Sequence, residues 1–300
     1  MTAVLERQTV KVIPSGAALG ADITGVDLSS ELTPDVVGAI EAAWSQHLVL
    51  RFRGQRLNDD QLMRFTSRLG ELDHAPIPAA KVKVAGEDRF VEIGAETRRY
   101  VNVVSNAIEN GRAIGSFGSG EVAWHTDMSY NPEPPNGSAL YALEVPPSGG
   151  DTMFVNMYAA YERLDDALRA RIAGRRCRHD ASRNSAGELR RGFAEIDDPR
   201  QVVGASHPII RTHPVTGRKA IYLSRRSHAY IEGLELDESE ALLDPLWRHV
   251  TQPELIWTQI WKAGDLVLWD NRCTIHRRDS FDPNARRVMH RTQIKGDVPY

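Results

Sequence analysis

The sequence predicts an α+β fold in which short antiparallel strands form a sandwich or jelly roll, with helices packed outside it. Short apolar runs separated by Gly, Pro and Asn recur from Gly115 onward, which is typical of strands joined by tight turns. Helical periodicity of the apolar residues is confined to a few segments. Many short strands in succession therefore favour a jelly roll over a parallel α/β sheet.

The first 70 residues combine helices with a strand. Thr33 and Pro34, with an acidic residue after them, form a helix start, and apolar residues follow at helical spacing. Residues 48–55 predict a buried strand that ends at glycine. A second helix is expected from about Asp59 to Gly70.

The rest of the chain is expected to be richer in strands. The expected elements are helices over 159–174 and 238–250, a hairpin over 211–223, two strands within 255–271 and a last strand over 286–296. Two polar segments, near 75–120 and 178–205, have no clear periodicity, and we expect loop insertions there that act as active-site lids. No linker is apparent, so residues 1–300 are treated as a single domain.

Composition narrows the class of protein. The 37 Lys and Arg residues nearly balance 40 Asp and Glu residues, so no overall basic field favours nucleic acid as a partner. No apolar run is long enough for a membrane-spanning helix, and the start of the chain does not resemble a secretory signal. The only cysteines, Cys177 and Cys273, cannot form a disulfide framework. We expect a cytoplasmic protein that acts on a small molecule.

A metal site is suggested by His125 and Asp127. In a strand, residues two apart project to the same face, so this imidazole and this carboxylate can point into a barrel together. With a second histidine they would form the facial triad of non-haem Fe(II) oxygenases. His276, after a strand-turn-strand near the end of the chain, is the candidate third ligand. Zinc accepts the same ligand types, and a polar network without metal is the other alternative.

Three more residues suggest a bound 2-oxo acid. Arg287 and Arg291 lie in one predicted strand at an even spacing, so both can face the same cavity. A guanidinium matches a carboxylate with two parallel hydrogen bonds. Thr152 follows two glycines and offers a small hydroxyl. Metal ligands, a carboxylate clamp and a hydroxyl together suit a chelating 2-oxo acid.

These motifs resemble a known family. The combination WHTD, GGDT, WDNRxTxH and RRxMHR is similar to that of the taurine dioxygenase and 2,4-dichlorophenoxyacetate dioxygenase family, and the similarity spans nearly the whole chain. The resemblance implies a double-stranded β-helix, a cupin-like jelly roll, with helices outside. It also implies that His125, Asp127 and His276 hold Fe(II). By the same resemblance Arg287 pairs with the distal carboxylate of 2-oxoglutarate, assisted by Thr152, while Arg291 is nearer the anionic end of the substrate.

The resemblance further implies an activity. Members of this family use Fe(II), 2-oxoglutarate and O2 to hydroxylate an unactivated C–H bond, with release of succinate and CO2, and an anionic small molecule is the expected substrate. Halogenating relatives generally lack the carboxylate, so the presence of Asp127 favours hydroxylation. Relatives are commonly dimers or tetramers, which leaves a homo-oligomer open. Two alternatives remain: a zinc-dependent hydrolase on the same barrel, and a non-catalytic jelly-roll binding protein.

The expected substrate pocket departs from that of taurine-type enzymes. After LGEL this chain has a histidine but no tyrosine, and a glutamate replaces the asparagine four residues before the first metal ligand. The segment 224–230 carries arginine and histidine where a phenylalanine is expected. Besides Arg291, the candidates for substrate contact are His74, Asn102, Glu121, Arg225 and His228. Trp269, like Trp124, is expected to pack outside the metal face.

Overall fold

The computed structural model describes residues 8–75, 99–190, 192–224 and 228–300, together with the backbone of two strands between residues 79 and 92. Its helices are α1 (Pro34–His47), α2 (Asp59–Ser67), α3 (Met157–Glu162), α4 (Asp166–Ile172) and α5 (Leu236–Val250). Short 3-10 turns cover Pro199–Gln201 and Pro253–Leu255.

The strands are short and spread along the chain. They are β1 (Lys11–Pro14), β2 (Ala21–Thr24), β3 (Val49–Phe52), β4 (Ala79–Val84), β5 (Glu87–Glu92), β6 (Asn102–Ser105), β7 (Ile108–Glu109), β8 (Arg112–Ala113), β9 (Val122–His125), β10 (Gly137–Glu144), β11 (Thr152–Asn156), β12 (Arg176–Arg178), β13 (Ser206–Pro208), β14 (Ile210–Thr212), β15 (Lys219–Ile221), β16 (Tyr230–Ile231), β17 (Ile256–Gln259), β18 (Leu266–Asp270), β19 (Thr274–Arg278) and β20 (Val288–Ile294).

Two sheets form the centre of the molecule. The larger has the order β1-β2-β3-β18-β10-β20-β6, and the smaller has the order β17-β11-β19-β9. Neighbouring strands are antiparallel except β2 and β3, which are parallel. The ring of Phe154 on β11 lies 5.5 Å from that of Trp269 on β18, so the two sheets face each other. The predicted mixture of helices and mostly antiparallel strands is confirmed.

Alternation along β18 explains how helices cover the larger sheet. Leu266 and Leu268 pack with residues of α1 and α2 in one hydrophobic cluster. Val267 and Trp269, which point to the opposite face, belong to the cluster that extends to β11 and to helices α3, α4 and α5. The larger sheet is therefore covered by helices on one face and by the smaller sheet on the other. No helix in the described part of the chain is both long and apolar enough to span a membrane.

Local capping accounts for the two predicted N-terminal helices. The Thr33 hydroxyl accepts a hydrogen bond from the backbone N–H of Val36, as expected for an N-cap residue. Asn58 caps α2, and its side chain and that of Gln61 form a reciprocal capping box. Both helices thus begin where the sequence predicts.

The structure differs from the prediction over residues 159–174, where one helix was expected. The chain forms α3 and α4 instead, with a break between them. The Asp165 side chain accepts a hydrogen bond from the backbone N–H of Leu168 at 2.7 Å and so caps a new helix. A capping side chain at this point outweighs the continuous apolar periodicity.

The described part of the segment 75–120 contains strands, where a loop insertion was expected. It contains β6, which forms the edge of the larger sheet beside β20, and the short hairpin of β7 and β8. By contrast, described residues between 179 and 205 form bends and turns with one 3-10 turn. Periodicity did not predict β6, because all four of its residues are buried and apolar and polar side chains do not alternate along it.

His207 on β13 gives the fold an expected pH dependence. Its Nε2 atom is 3.0 Å from the carbonyl oxygen of Asn131, and burial lowers the pKa of His207 to about 4. In the unfolded chain this side chain has the ordinary histidine pKa of 6.5, so the unfolded chain binds more protons than the folded chain between pH 6.5 and pH 4. The free energy of unfolding should therefore fall by about 3 kcal/mol between pH 7 and pH 4 through this side chain.

Urea denaturation at several pH values measures this effect. His207→Gln keeps an N–H donor for the Asn131 carbonyl but does not titrate, so its free energy of unfolding should fall less steeply below pH 6.5 than that of the wild type. Parallel curves for the two proteins would show that His207 does not cause the pH dependence.

Candidate active site

His125, Asp127 and His276 come together at the interface of two strands. His125 ends β9 and lies directly opposite His276 on the neighbouring β19. The Asp127 Oδ1 atom is 3.7 Å from His125 Nε2 and 3.9 Å from His276 Nε2. One ligand atom from each residue lies within 4.8 Å of the other two, and all three residues are buried. This arrangement can hold one metal ion.

Hydrogen bonds prepare two of these groups to bind a metal. The Nδ1 atom of His125 is 2.8 Å from the carbonyl oxygen of Ala123, so Nδ1 carries the proton and Nε2 keeps its lone pair. The Ser138 hydroxyl donates to Asp127 Oδ2 at 2.7 Å. Burial favours the neutral carboxyl, but the charge of Arg291, together with that of the two histidines when they are protonated, outweighs it and holds the pKa of Asp127 well below its usual range.

Two aromatic rings flank His276. The ring of Phe154 lies 5.7 Å away and that of Trp269 lies 5.0 Å away, measured between centroids. The prediction that Trp269 packs outside the metal face is therefore wrong. Alternation along β18 turns this ring toward the smaller sheet, and its Nε1 atom donates to Asn271 Oδ1 at 2.8 Å.

A cavity of about 60 Å³ adjoins His125 and His276. Its walls combine polar groups with apolar side chains, and they are formed by Val104, Phe117, Val122, His125, Leu140, Thr152, Trp269, His276, Arg278, Arg287 and Arg291. The sequence-predicted residues Thr152, Arg287 and Arg291 thus share one cavity with both histidines. A cavity that is mainly apolar with a few convergent polar groups is typical of a small-molecule site.

Arg287 is a buried cation in this cavity. It is 2% exposed, and within the described part of the chain its Nε atom has no hydrogen-bond partner. Burial lowers its pKa to about 9, and the nearby charge of Arg278 adds to that effect. Thr152 lies on the same wall, where its hydroxyl accepts a hydrogen bond from Trp261 Nε1 at 2.9 Å and keeps its own proton to donate. Arg287 and Thr152 can therefore both donate hydrogen bonds to a carboxylate bound in the cavity.

Arg278 was missed by the sequence analysis. It lies two residues after His276 on β19, and its side chain is buried against the same cavity. The spacing of two residues from the predicted ligand His276 was a signal that could have found it, although no strand was predicted there.

Arg291 lies on the metal side of the cavity. Its Nη1 atom donates to Asp127 Oδ1 at 2.9 Å, the oxygen that also faces both histidines. The residue opposite it on β6 is Asn102, which is 6% exposed. The sequence-predicted candidates Arg291 and Asn102 are thus neighbours at the edge of the sheet.

The other candidates for substrate contact lie elsewhere or outside the described residues. His74 is exposed, and its ring packs against that of Tyr100 at 5.2 Å. Glu121 is exposed and lies 3.5 Å from Arg277, so the structure does not place it at the cavity. His228 Nδ1 lies 3.6 Å from the buried carboxylate of Asp180. Arg225 lies outside the described residues.

A buried network anchors the turn before His276. Arg272 binds both oxygens of Asp270, at 2.9 and 2.7 Å, and His213 Nε2 lies 3.0 Å from Oδ2. Burial would raise the pKa of Asp270, but Arg272 and His213 lower it well below its usual range. His213, Asp270 and Cys273 could together hold a metal by distance alone. Arg272 already satisfies the carboxylate, so a structural network explains this cluster.

Asp270→Asn should destabilise the protein strongly. It removes one partner of a buried ion pair and leaves the Arg272 charge uncompensated, which costs about 3–5 kcal/mol. Chemical denaturation measures the free energy of unfolding. Asp279→Asn is the matched control, since this carboxylate follows β19, is partly exposed and pairs with Arg277. Its loss should lower the free energy of unfolding by less than about 1 kcal/mol. Equal losses in both variants would contradict the structural role of the network.

Comparison with known proteins identifies the chain's relatives. The family model described as "Taurine catabolism dioxygenase TauD, TfdA family" matches residues 11–293. The (S)-phenoxypropionate/alpha-ketoglutarate-dioxygenase of Delftia acidovorans is 34% identical, over 96% of each chain. Pentalenolactone F synthase of Streptomyces avermitilis is 33% identical, over 95% of this chain and 93% of that protein.

A solved structure is similar throughout its length. The crystal structure of AAD-2 in complex with Mn(II) and N-oxalylglycine has a TM-score of 0.76 at 33% identity, over 97% of this chain and 99% of that one. The chain is thus similar to these relatives in both sequence and fold over nearly its whole length. The chain belongs to the taurine catabolism dioxygenase TauD, TfdA family and is an oxidoreductase, a dioxygenase that depends on 2-oxoglutarate (alpha-ketoglutarate).

Proposed function

We propose that the chain uses Fe(II), 2-oxoglutarate and O2 to hydroxylate an unactivated C–H bond of a small anionic molecule. One O2 and one 2-oxoglutarate are consumed, and the products are the alcohol, succinate and CO2. The observation that carries the proposal is the buried Arg287 guanidinium, which shares a cavity with two histidines of a three-residue metal site. A cation buried in such a place needs an anionic ligand.

The donor set fits ferrous iron. Two imidazole nitrogens and one carboxylate oxygen, with no thiol among them, are the donor set that non-haem Fe(II) oxygenases use. His125 is held with Nε2 available, and Asp127 is kept ionised, so both are in the state that binds a cation. When bound, iron would supply the dioxygen chemistry that side chains cannot perform.

The remaining groups of the cavity would bind and orient the 2-oxo acid. Arg287 and Thr152 are proposed to hold the distal carboxylate through charge-assisted hydrogen bonds. Because His125 and His276 line the same cavity, the other end of the 2-oxo acid would lie near the metal that these histidines would hold. Apolar side chains, among them the buried Leu140, form part of the cavity wall.

The substrate is proposed to be a small anion. Arg291 and the neighbouring Asn102 supply a guanidinium and an amide near the metal. Curated relatives support this class, since they include a phenoxypropionate dioxygenase and an alpha-ketoglutarate-dependent sulfate ester dioxygenase of Pseudomonas putida. His74 and Glu121 are not among these contacts, because they lie away from the cavity. Arg225 and His228 remain proposed substrate contacts.

Several broader features are proposed with the function. We propose that the two facing sheets form a double-stranded β-helix in a single domain, and that residues 178–205 cover the active site as a lid. A cytoplasmic location and a homo-oligomer, a dimer or a tetramer, are proposed by analogy alone. The near-neutral net charge of −3 supports a small-molecule substrate without nucleic acid or membrane as a partner.

Family membership favours the dioxygenase over the two alternative functions. A zinc-dependent hydrolase has no use for a buried carboxylate clamp, and a non-catalytic binding protein has no need of three metal ligands beside it. Both alternatives predict that the protein does not consume 2-oxoglutarate.

Succinate release tests the proposed reaction. The purified protein with Fe(II), 2-oxoglutarate and O2 is screened against small carboxylates, sulfonates, sulfate esters and phosphonates, with succinate and the hydroxylated product both measured. The expected result is a substrate-dependent rise of succinate in equal amount to the alcohol. Activity with zinc and without 2-oxoglutarate would contradict the proposal.

A further inference from the structure

Arg278 shares the cavity with Arg287. It ends β19 two residues after His276, so both side chains leave the strand on the same face. In the sheet it lies opposite Thr152 on β11. The residue is 6% exposed, and its side chain lines the cavity. The cavity thus contains two guanidinium groups beside one hydroxyl, although the function proposed above uses only one of them.

Contacts with a neighbouring loop fix the Arg278 side chain. Its Nη2 atom donates to the carbonyl oxygen of Gly118 at 2.7 Å and also to that of Gly120. Its Cζ atom lies 5.2 Å from the centre of the Phe281 ring. Among described residues its Nε atom has no hydrogen-bond partner. The side chain is therefore positioned, with an N–H donor still unused.

The two positive charges of Arg278 and Arg287 in one cavity favour an anion bound between them. Arg278 and Arg287 are both buried and line the same cavity, so their like charges repel in a medium of low dielectric constant. Two such cations are costly to bury unless an anion joins them. A carboxylate has two oxygens and can accept hydrogen bonds from both guanidinium groups at once.

We propose that Arg278 is a second cosubstrate-binding arginine, which contacts the distal carboxylate of 2-oxoglutarate together with Arg287 and Thr152. This inference rests on the proposed use of 2-oxoglutarate. Because Arg278 also holds Gly118, carboxylate binding is coupled to the loop that carries Phe117, another residue of the cavity wall.

The test compares two ligands that differ only at the distal group. Binding of 2-oxoglutarate and of 2-oxopentanoate, which has a methyl in place of the distal carboxylate, is measured by calorimetry on the anaerobic Fe(II)-loaded protein. In Arg278→Ala we expect the affinity for 2-oxoglutarate to fall about 10- to 100-fold, the range for a hydrogen bond to a charged group. The affinity for 2-oxopentanoate should stay within about twofold of the wild type, since its methyl end makes no such bond.

Arg277→Ala is the matched control, because this neighbour on β19 pairs with Asp279 and lies away from the cavity. It should leave both affinities unchanged. If Arg278→Ala is unstable, Arg278→Gln keeps a donor for the Gly118 carbonyl and takes its place. Equal weakening of both ligands, or no weakening, would overturn the inference and leave the function standing. Failure of the wild type to bind 2-oxoglutarate would contradict the proposed function instead.

Discussion

His276→Ala should abolish Fe(II) binding and reduce turnover by more than about 100-fold. Even partners that only orient a metal ligand contribute 10- to 100-fold to metal affinity or activity, so loss of a ligand costs more. His276 Nε2 faces the same Asp127 oxygen as His125 Nε2 does, and without it two donors remain. Iron affinity is measured by anaerobic titration, and turnover by succinate release.

His290→Ala is the matched control for this variant. His290 lies on β20, where its Nδ1 atom is 2.5 Å from Asp59 Oδ1 on α2, on the face away from the metal site. This variant should bind Fe(II) as the wild type does. A folded His276→Ala protein with unchanged iron affinity would show that the ligand set is wrong.

Arg287→Met should weaken 2-oxoglutarate binding by more than about 100-fold and at the same time stabilise the ligand-free protein. The first effect follows from loss of the bidentate, charge-assisted contact with the distal carboxylate. The second follows because methionine removes a buried charge that no described hydrogen bond to Nε compensates. Apolar replacement of buried charges can raise the free energy of unfolding by about 1–4 kcal/mol. Calorimetric titration measures the affinity, and urea denaturation without 2-oxoglutarate measures the stability.

The neighbouring Arg286→Met separates these effects from a general loss of charge. Arg286 is largely exposed and pairs with Glu144 and Glu109 at the surface. It should change neither the affinity for 2-oxoglutarate nor the stability by more than about 1 kcal/mol. If Arg287→Met binds 2-oxoglutarate normally, or if both variants behave alike, Arg287 does not hold the carboxylate.

Local signals predicted much of the fold. Thr33 and Pro34 predict the start of α1 because the capping signal lies in adjacent positions. The start of α2 was also predicted closely, and in the structure Asn58 caps it. The same locality explains one error: Asp165 also caps a helix, yet the continuous apolar spacing around it masked the break between α3 and α4.

The site depended on contacts between distant segments. The spacing of His125 and Asp127 suggested that they act together, although β9 ends at His125 and Asp127 lies in the turn after it. Nothing local indicates that β9 pairs with β19 and brings His276 opposite His125. The assignment of His276 as the third metal ligand came from the resemblance of the motifs to those of the family. The orientation of Trp269 and the ion pair of Arg291 with Asp127 depend on how the two sheets pack, which periodicity does not specify.

The most direct test of the central claim is an anaerobic titration of the purified protein with Fe(II) and 2-oxoglutarate, followed by visible absorption. A 2-oxo acid that chelates ferrous iron gives a weak charge-transfer band, and we expect that band in the wild type at one equivalent of each. It should be absent in His276→Ala and require much more 2-oxoglutarate in Arg287→Met. No band in the wild type, or the same band in all three proteins, would contradict the assignment of this cavity as an Fe(II) and 2-oxoglutarate site.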